Sequence, residues 1–362
     1  MKLLATTLLV STALWAMPAM AEDHSAGSEG TGEAPRALMD DYTPKAGARA
    51  AMPKLEAGEE SRAAPLTDEN VVVKSFTAVG KSRDGKELRI DASEAVRSAI
   101  KADLSGGSAG GGDTKAQSSP KGGEDPAFAQ DGGDRAVFGD DTRVQIKNTK
   151  AYPFRTIGYI ESVNAKGEAF MCSGTLIGPR TVLTAAHCLY NHDQEGGWHQ
   201  TYYFVPGMAD EKTFPFGAYE YQEAYIVEGY ITNYQGFYGS VVPWDLGILI
   251  LPEPIGDALG WMAYGHYEQL GGFSANIVGY PGDKPFGTMW RATCDVLGEN
   301  VLSDGFFYDC DTFPGSSGSS VYALDGDNQR VVLGVNVAES PDFNTAVRLN
   351  GPYFEWVNSL NQ

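Results

Sequence analysis

The chain has 362 residues, 42% of them apolar and 20% charged, enough to bury one large core or two modest ones and too many for a small disulfide-stapled peptide. Forty-seven acidic residues against 27 basic ones give a formal charge of -20. Such a chain repels phosphate backbones and anionic headgroups, which argues against nucleic-acid binding and stable membrane association.

At the start of the chain, Lys2 precedes an apolar run, Leu3 to Ala16, and Ala19-Met20-Ala21 has the small-x-small form read by signal peptidase before Glu22. The run is too short to span a bilayer comfortably and nothing comparable follows it. Residues 1–21 are therefore predicted to be a cleaved secretory signal, and the protein to be exported to the periplasm or the cell exterior. An oxidising destination favours two disulfides over a metal site for Cys172, Cys188, Cys294 and Cys310, whose spacings fit no zinc knuckle or finger.

Residues 22–135 contain neither Cys nor Trp and are rich in Ala, Gly, Ser, Asp and Glu. They end in a glycine-rich tract, Ser105 to Asp113, that continues to Asp134. A tract of this kind buries too little apolar surface to offset the entropy of ordering it. The segment reads as a propeptide and linker, largely disordered. One island interrupts it: Val71–Phe76 is strand-like, and Ser93–Ile100 has the form of a short helix with Ser93 as N-cap. A small inhibitory or chaperoning fold is thus the alternative to a solvated spacer.

From Ala136 the composition is that of an all-β domain: aromatic residues concentrate, and short β-branched runs alternate with Gly, Pro, Asn and Asp clusters. Many short strands imply a sandwich or barrel, and helical period appears only at the end, Pro352 to Leu360. The domain, residues 136–362, carries 26 acidic and 11 basic residues, so the acidity belongs to it rather than to a tail. Gly178-Pro179-Arg180 is a turn between two apolar strands, and the hairpin so formed brings Cys172 near Cys188.

Three segments in this domain carry chemistry, in the order His, Asp, Ser. Thr184-Ala-Ala-His187-Cys188 ends the second strand of the hairpin. Trp244-Asp245 stands at the mouth of the apolar strand Leu246–Leu251, and Pro314-Gly-Ser-Ser317-Gly-Ser319 is a glycine-flanked loop. A serine hydroxyl is a poor nucleophile at neutral pH and needs a base within hydrogen-bond reach, which makes His187 the base for Ser317. A carboxylate fixes the imidazole tautomer, the role suited to Asp245. The N–H groups of Gly315 and Ser317 supply the oxyanion hole. Of the other histidines, His24 lies in the propeptide, His192 and His199 in a polar stretch and His266 in a loop. The tyrosines between His187 and Asp245, Tyr202 to Tyr238, read as barrel and loop packing, with the lining of an extended substrate cleft or a partner surface as the alternative.

These segments resemble the chymotrypsin-like serine endopeptidases, and most closely the V8-like, or glutamyl endopeptidase, branch. Phe204–Gly207 with Phe216-Gly217, Gly279–Lys284 with Gly287–Trp290, and Asp311-Thr312 extend the likeness over residues 136–362. The resemblance implies two antiparallel six-stranded β-barrels with the site in the cleft between them, followed by a short C-terminal helix. It also implies a Cys172–Cys188 bridge, which leaves Cys294 to pair with Cys310.

For the primary pocket the resemblance points to Asp311, Thr312 and Asn336. Family members that cleave after glutamate carry histidine where this chain has Asn336, so a positive charge is missing there. Asp311, six residues before Ser317, is the counterpart of the acid that pairs with a basic substrate residue in trypsin-type enzymes. Basic, small or apolar, and acidic preferences all stay open. Ser316, just before the nucleophile, has no charge for a trypsin-style activation ion pair. A zymogen cut between Arg135 and Ala136 is expected instead.

The expected protein is a secreted monomeric serine endopeptidase acting on proteins or peptides through an acyl-enzyme, with no cofactor and no metal. The alternatives are a catalytically silent binding module with the same fold, and an esterase or amidase using the same triad.

Overall fold

The computed structural model describes residues 42–45, 47–50, 55, 66–105, 137–194, 196–326 and 328–362. The expected signal peptide, most of the glycine-rich tract and the Arg135–Ala136 boundary lie outside them.

The region ahead of residue 136 contributes β1 (Arg49–Ala50), α1 (Glu69–Ser75), β2 (Ala78–Ser82), β3 (Glu87–Ile90) and α2 (Glu94–Leu104). After β4 (Val144–Gln145) come β5 (Ile157–Val163), β6 (Ala169–Leu176), β7 (Thr181–Thr184), β8 (Thr201–Pro206), β9 (Tyr219–Glu220), β10 (Glu223–Val227), α3 (Glu228–Thr232) and β11 (Gly247–Ile250). Then follow α4 (Gly256–Leu259), β12 (Ala263–Tyr264), β13 (Phe273–Gly279), β14 (Trp290–Val296), β15 (Gly305–Tyr308), β16 (Ser320–Leu324), β17 (Arg330–Glu339), β18 (Asn344–Arg348) and α5 (Gly351–Leu360).

The strands form two sheets, as expected of the two-barrel fold. The first runs β3-β2-β10-β11-β7-β6-β5-β8-β9, with β1 added on β6, and the second β15-β18-β17-β16-β13-β14-β4, with β12 on β17. β9 pairs with β8 and passes within three residues into β10, so the chain itself curls the first sheet round. In the second sheet the Cys294–Cys310 bridge ties β14 to the end of β15, linking strands near opposite ends of the order.

The hairpin is as read from the sequence: β6 and β7 pair through Thr175 with Leu183 and Leu176 with Val182, and Cys172 is bonded to Cys188. The C-terminal helix is capped by Asn350, whose side chain accepts from the Tyr353 N–H at 3.1 Å, and it buries Tyr353, Trp356, Val357 and Leu360.

The island before the domain differs from its sequence reading in one respect. Val71–Phe76 is not a strand: residues 71–75 continue α1, started by the Asp68 carboxylate, which accepts from the Asn70 and Val71 N–H groups. The β-branched run favours a strand locally, but the cap and the burial of Val72, Val73 and Phe76 against the main core outweigh that preference. Ser93 caps α2 as expected, accepting from the Val96 N–H at 3.2 Å.

His199, read as part of a polar stretch, is 2% exposed and sits beside Phe170, ring centroids 5.0 Å apart. Burial, reinforced by the charge of Lys81, pushes its imidazole down to about 4. In the unfolded chain the same group takes a proton near pH 6.5, at about the usual histidine value. Between those values the unfolded state binds more protons, so stability is full above the upper value and falls as the pH drops toward the lower one. Denaturant titrations at pH 7 and 4.5 should show a loss of about 2 kcal/mol that His199→Phe removes.

Candidate active site

His187 stands in a 3-10 turn that ends β7, and Asp245 in the turn that leads into β11. β7 and β11 are paired neighbours, which sets the two residues opposite each other. The fully buried Asp245 carboxylate uses both oxygens on His187: Oδ1 accepts from the backbone N–H at 2.8 Å, and Oδ2 meets ring Nδ1 at 2.6 Å. Nδ1 is thereby the protonated nitrogen, and Nε2 is left as an acceptor. Nε2 is buried and has no hydrogen-bond partner among the described residues.

A third group reaches the same carboxylate. Tyr238 OH donates to Asp245 Oδ2, and it also lies 3.3 Å from the Val337 carbonyl. Burial, and then the charge of Asp245, raise the phenol well above its ordinary value, which keeps it a donor. Among the many tyrosines of this stretch no sequence signal separates Tyr238 from its neighbours; Tyr202, Tyr219, Tyr221 and Tyr230 are buried as packing residues, as expected.

Ser317 follows a turn in which Gly315 has φ +106°, and Gly318 after it has φ +83°. Side chains at these glycines would run into Tyr280 O and into Ser173 O and Thr184 Oγ1 respectively. The loop is therefore pressed onto the first sheet: Ser173 N–H donates to Ser317 O at 2.7 Å, and Ser173 Oγ donates to Gly315 O at 2.9 Å. Cys188, next to His187, brings its sulfur within 3.8 Å of Ser317 O. Ser317 Oγ, like His187 Nε2, is buried without a partner among the described residues. The N–H groups of Ser316, Gly318 and Ser319 are bonded to Phe313, Asn336 and Ser316 carbonyls. Those of Gly315 and Ser317 make no such bond among the described residues.

The pocket candidates fare differently. Asp311 is 3% exposed and spends both oxygens within the protein: Oδ1 accepts from the Phe138 N–H at 2.9 Å, and Oδ2 from the Thr142 N–H at 2.7 Å and Thr142 Oγ1 at 2.6 Å. The carboxylate thereby latches the chain at Phe138 and Thr142. The latch is continued by Arg143, buried between Asp141 and Asp283, with Lys284 also on Asp141. Burial alone would raise the Asp141 carboxyl, but Arg143 and Lys284 outweigh it and hold it well below the usual range. Asn336 is fully buried and joins Tyr308 OH, which donates to Oδ1 at 2.5 Å, to Ser316 O, which accepts from Nδ2 at 3.2 Å. Thr312 is buried beside Asp311, and its Oγ1 has no partner.

Residues 172–335 match the family model described as trypsin-like peptidase domain. The glutamyl endopeptidase of Bacillus licheniformis is 34% identical over 191 residues, 52% of this chain and 55% of that protein. A Bacillus subtilis protein named extracellular metalloprotease is 28% identical over 230 residues, 62% of this chain and 70% of its own length. The chain thus spans little more than half of the former. A solved Glu endopeptidase structure, in complex with MPD, superposes with a TM-score of 0.53 at 29% identity, over 62% of this chain and 98% of the other.

The word metalloprotease calls for a test of the donor set. The group of three close donors among the described residues is Cys172, His187 and Cys188. The two sulfurs are bonded to each other and His187 Nδ1 is taken by Asp245, so this set does not fit a metal ion.

Asp311→Asn should loosen the latch: faster amide exchange at Phe138 and Thr142, and a loss of about 2 kcal/mol in denaturant unfolding, are the expected results.

Proposed function

We propose, on the premise that residues 172–335 match a trypsin-like peptidase domain and that a glutamyl endopeptidase is among the relatives, that this is a secreted serine endopeptidase made as a zymogen. The observation that carries the reading is the buried His187, fixed by Asp245 through ring and backbone, whose chain neighbour Cys188 lies against the glycine-flanked loop of Ser317. Ser317 Oγ attacks the substrate carbonyl carbon while its proton passes to His187 Nε2. The oxyanion is met by the unspent N–H groups of Gly315 and Ser317. The C–N bond then breaks, with His187 returning the proton to the leaving amine. Water, activated by the same imidazole, hydrolyses the acyl-enzyme. Asp245 stays ionised and stabilises the imidazolium, and Tyr238 positions that carboxylate.

An uncharged side chain suits the primary pocket. Both oxygens of Asp311 already accept bonds from Phe138 and Thr142, and Asn336 offers no positive charge to an acidic residue. Thr312 Oγ1 is the polar atom left to meet the substrate there.

The zymogen reading draws on the segment ahead of the island. Two backbone edges flank the Ser317 loop: β6 below Thr175, where β7 no longer pairs, and β17 beyond Asn336. β1 pairs in parallel with Phe170 and Met171 on the first edge, and Leu55 N–H donates to Glu339 O at 2.9 Å on the second. A substrate chain laid across Ser317 needs the same edges. Removal of residues up to 55 frees them, and the expected cut at Arg135–Ala136 completes processing. The extracellular name of one relative agrees with export.

A fluorophosphonate probe followed by cleavage profiling on a mixed peptide library tests this reading. Processed protein should label and cleave after uncharged residues, full-length protein should resist labelling, and Ser317→Ala should abolish both signals. Unlabelled processed protein would instead favour a binding module, and labelling without peptide cleavage an esterase. Tyr238→Phe should lower kcat/KM about tenfold, the worth of one hydrogen bond to a charged group.

A further inference from the structure

Residues 66–105 share a sequence region with the segment on the cleft edges, yet their contacts are of another kind. β2 adds to the first sheet by antiparallel pairing with β10 over five residues, Ala78 opposite Val227 through Ser82 opposite Glu223. Backbone bonds extend the pairing at both ends, from Glu228 N–H to Thr77 O at 2.8 Å and from Arg83 N–H to Gln222 O at 2.9 Å. The approach is close enough that a side chain at Gly80 would run into Ala224 O. Lys81 Nζ donates to His199 O at 2.9 Å and lies 3.2 Å from Gln200 O, and Arg89 forks onto Glu228 at 3.1 and 2.8 Å.

The apolar contacts reach the candidate site. Val72, Val73, Phe76, Ala78, Val96 and Ile100 belong to the same buried cluster as the first sheet and α5. Phe76, 4% exposed, packs edge-on against Trp244 at 5.5 Å and Tyr353 at 4.9 Å between centroids. Tyr353 OH in turn donates to Pro243 O at 2.6 Å. Both sides of the turn Val242–Trp244, which delivers Asp245, are thus held from residue 76.

We infer that residues 66–105 stay with the domain after processing, as a second, non-covalently bound chain, and that Phe76 is a positioning residue for Asp245. The first half stands apart from the enzymatic reading, and the second rests on it only for its purpose. Cutting the glycine-rich connection after Ser105 removes none of the contacts above. What remains is a sheet pairing and a shared core, the same forces that hold an added strand in a protein–protein complex. A mature form of two pieces follows.

The test uses the full chain carrying Ser317→Ala, which prevents autolysis, with foreign protease sites placed at Gly58 and at Gly110–Gly112, so that the piece holding residues 66–105 is severed from the domain and from the segment that precedes it. After the cuts, this piece and the domain should co-elute in equal amounts on native gel filtration and part in denaturant. Elution of the 66–105 piece alone, with the remainder still folded by circular dichroism, would overturn the inference. Gly80→Val should release the piece after the same cuts, and its retention would remove sheet pairing as the basis. In the same inactive background, the downfield proton resonance of His187 Nδ1 reports the positioning role without activity. Phe76→Ala should broaden or shift it and Phe76→Leu should largely preserve it, whereas an unchanged resonance in Phe76→Ala would refute that role.

Discussion

The two-point grip of Asp245 on His187 is the constraint that the site depends on. One carboxylate oxygen takes the backbone N–H and the other the ring, so position and tautomer are set together, inside a core where the acid has no exposure. A buried carboxylate is tolerated only when its acceptors are filled. Tyr238 helps to fill them, and the adjacent pairing of β7 with β11 makes the geometry a property of the sheet rather than of loose loops. Most of what surrounds the site keeps that pair dry and the serine loop beside it.

The Ser317 loop belongs to the second sheet but is seated on the first. Ser173, between Cys172 of the bridge and the rest of β6, holds it by N–H and hydroxyl, and also accepts from the Tyr280 N–H at 3.0 Å in the second sheet. One small side chain therefore joins three parts of the cleft. Asp311 and the Arg143 ion cluster fasten the first residues of the domain beneath the same loop. Acidic groups that look available from composition are already engaged.

The parts of this arrangement legible in the sequence are those coded locally. His187, Asp245 and Ser317 announce themselves by the residues on either side, the hairpin by Gly178-Pro179, the C-terminal helix by its apolar spacing, and the cap of α2 by Ser93. The bonds of Asp311 are not legible because its partners, Phe138 and Thr142, lie about 170 residues away in sequence and are joined to it only by the fold. Val71–Phe76 misleads because β-branching speaks for a strand while the deciding burial is tertiary. Asp84-Gly85, a turn signal between β2 and β3, is visible in hindsight, but nothing local reveals that β10 is the strand they extend.

The pairing of β2 with β10 also bears on solubility. With β2 and β3 in place, β10 has a neighbour on both sides. A polypeptide begun at residue 136 would instead present the β10 backbone as a bare row of donors and acceptors, flanked by the apolar face that Val72, Val73 and Phe76 normally cover. Unshielded rims of that sort recruit whatever strand is nearest, including another copy's. Residues 78–90 thus seal a rim of the sheet that the acidic, tyrosine-rich half of the molecule leaves open.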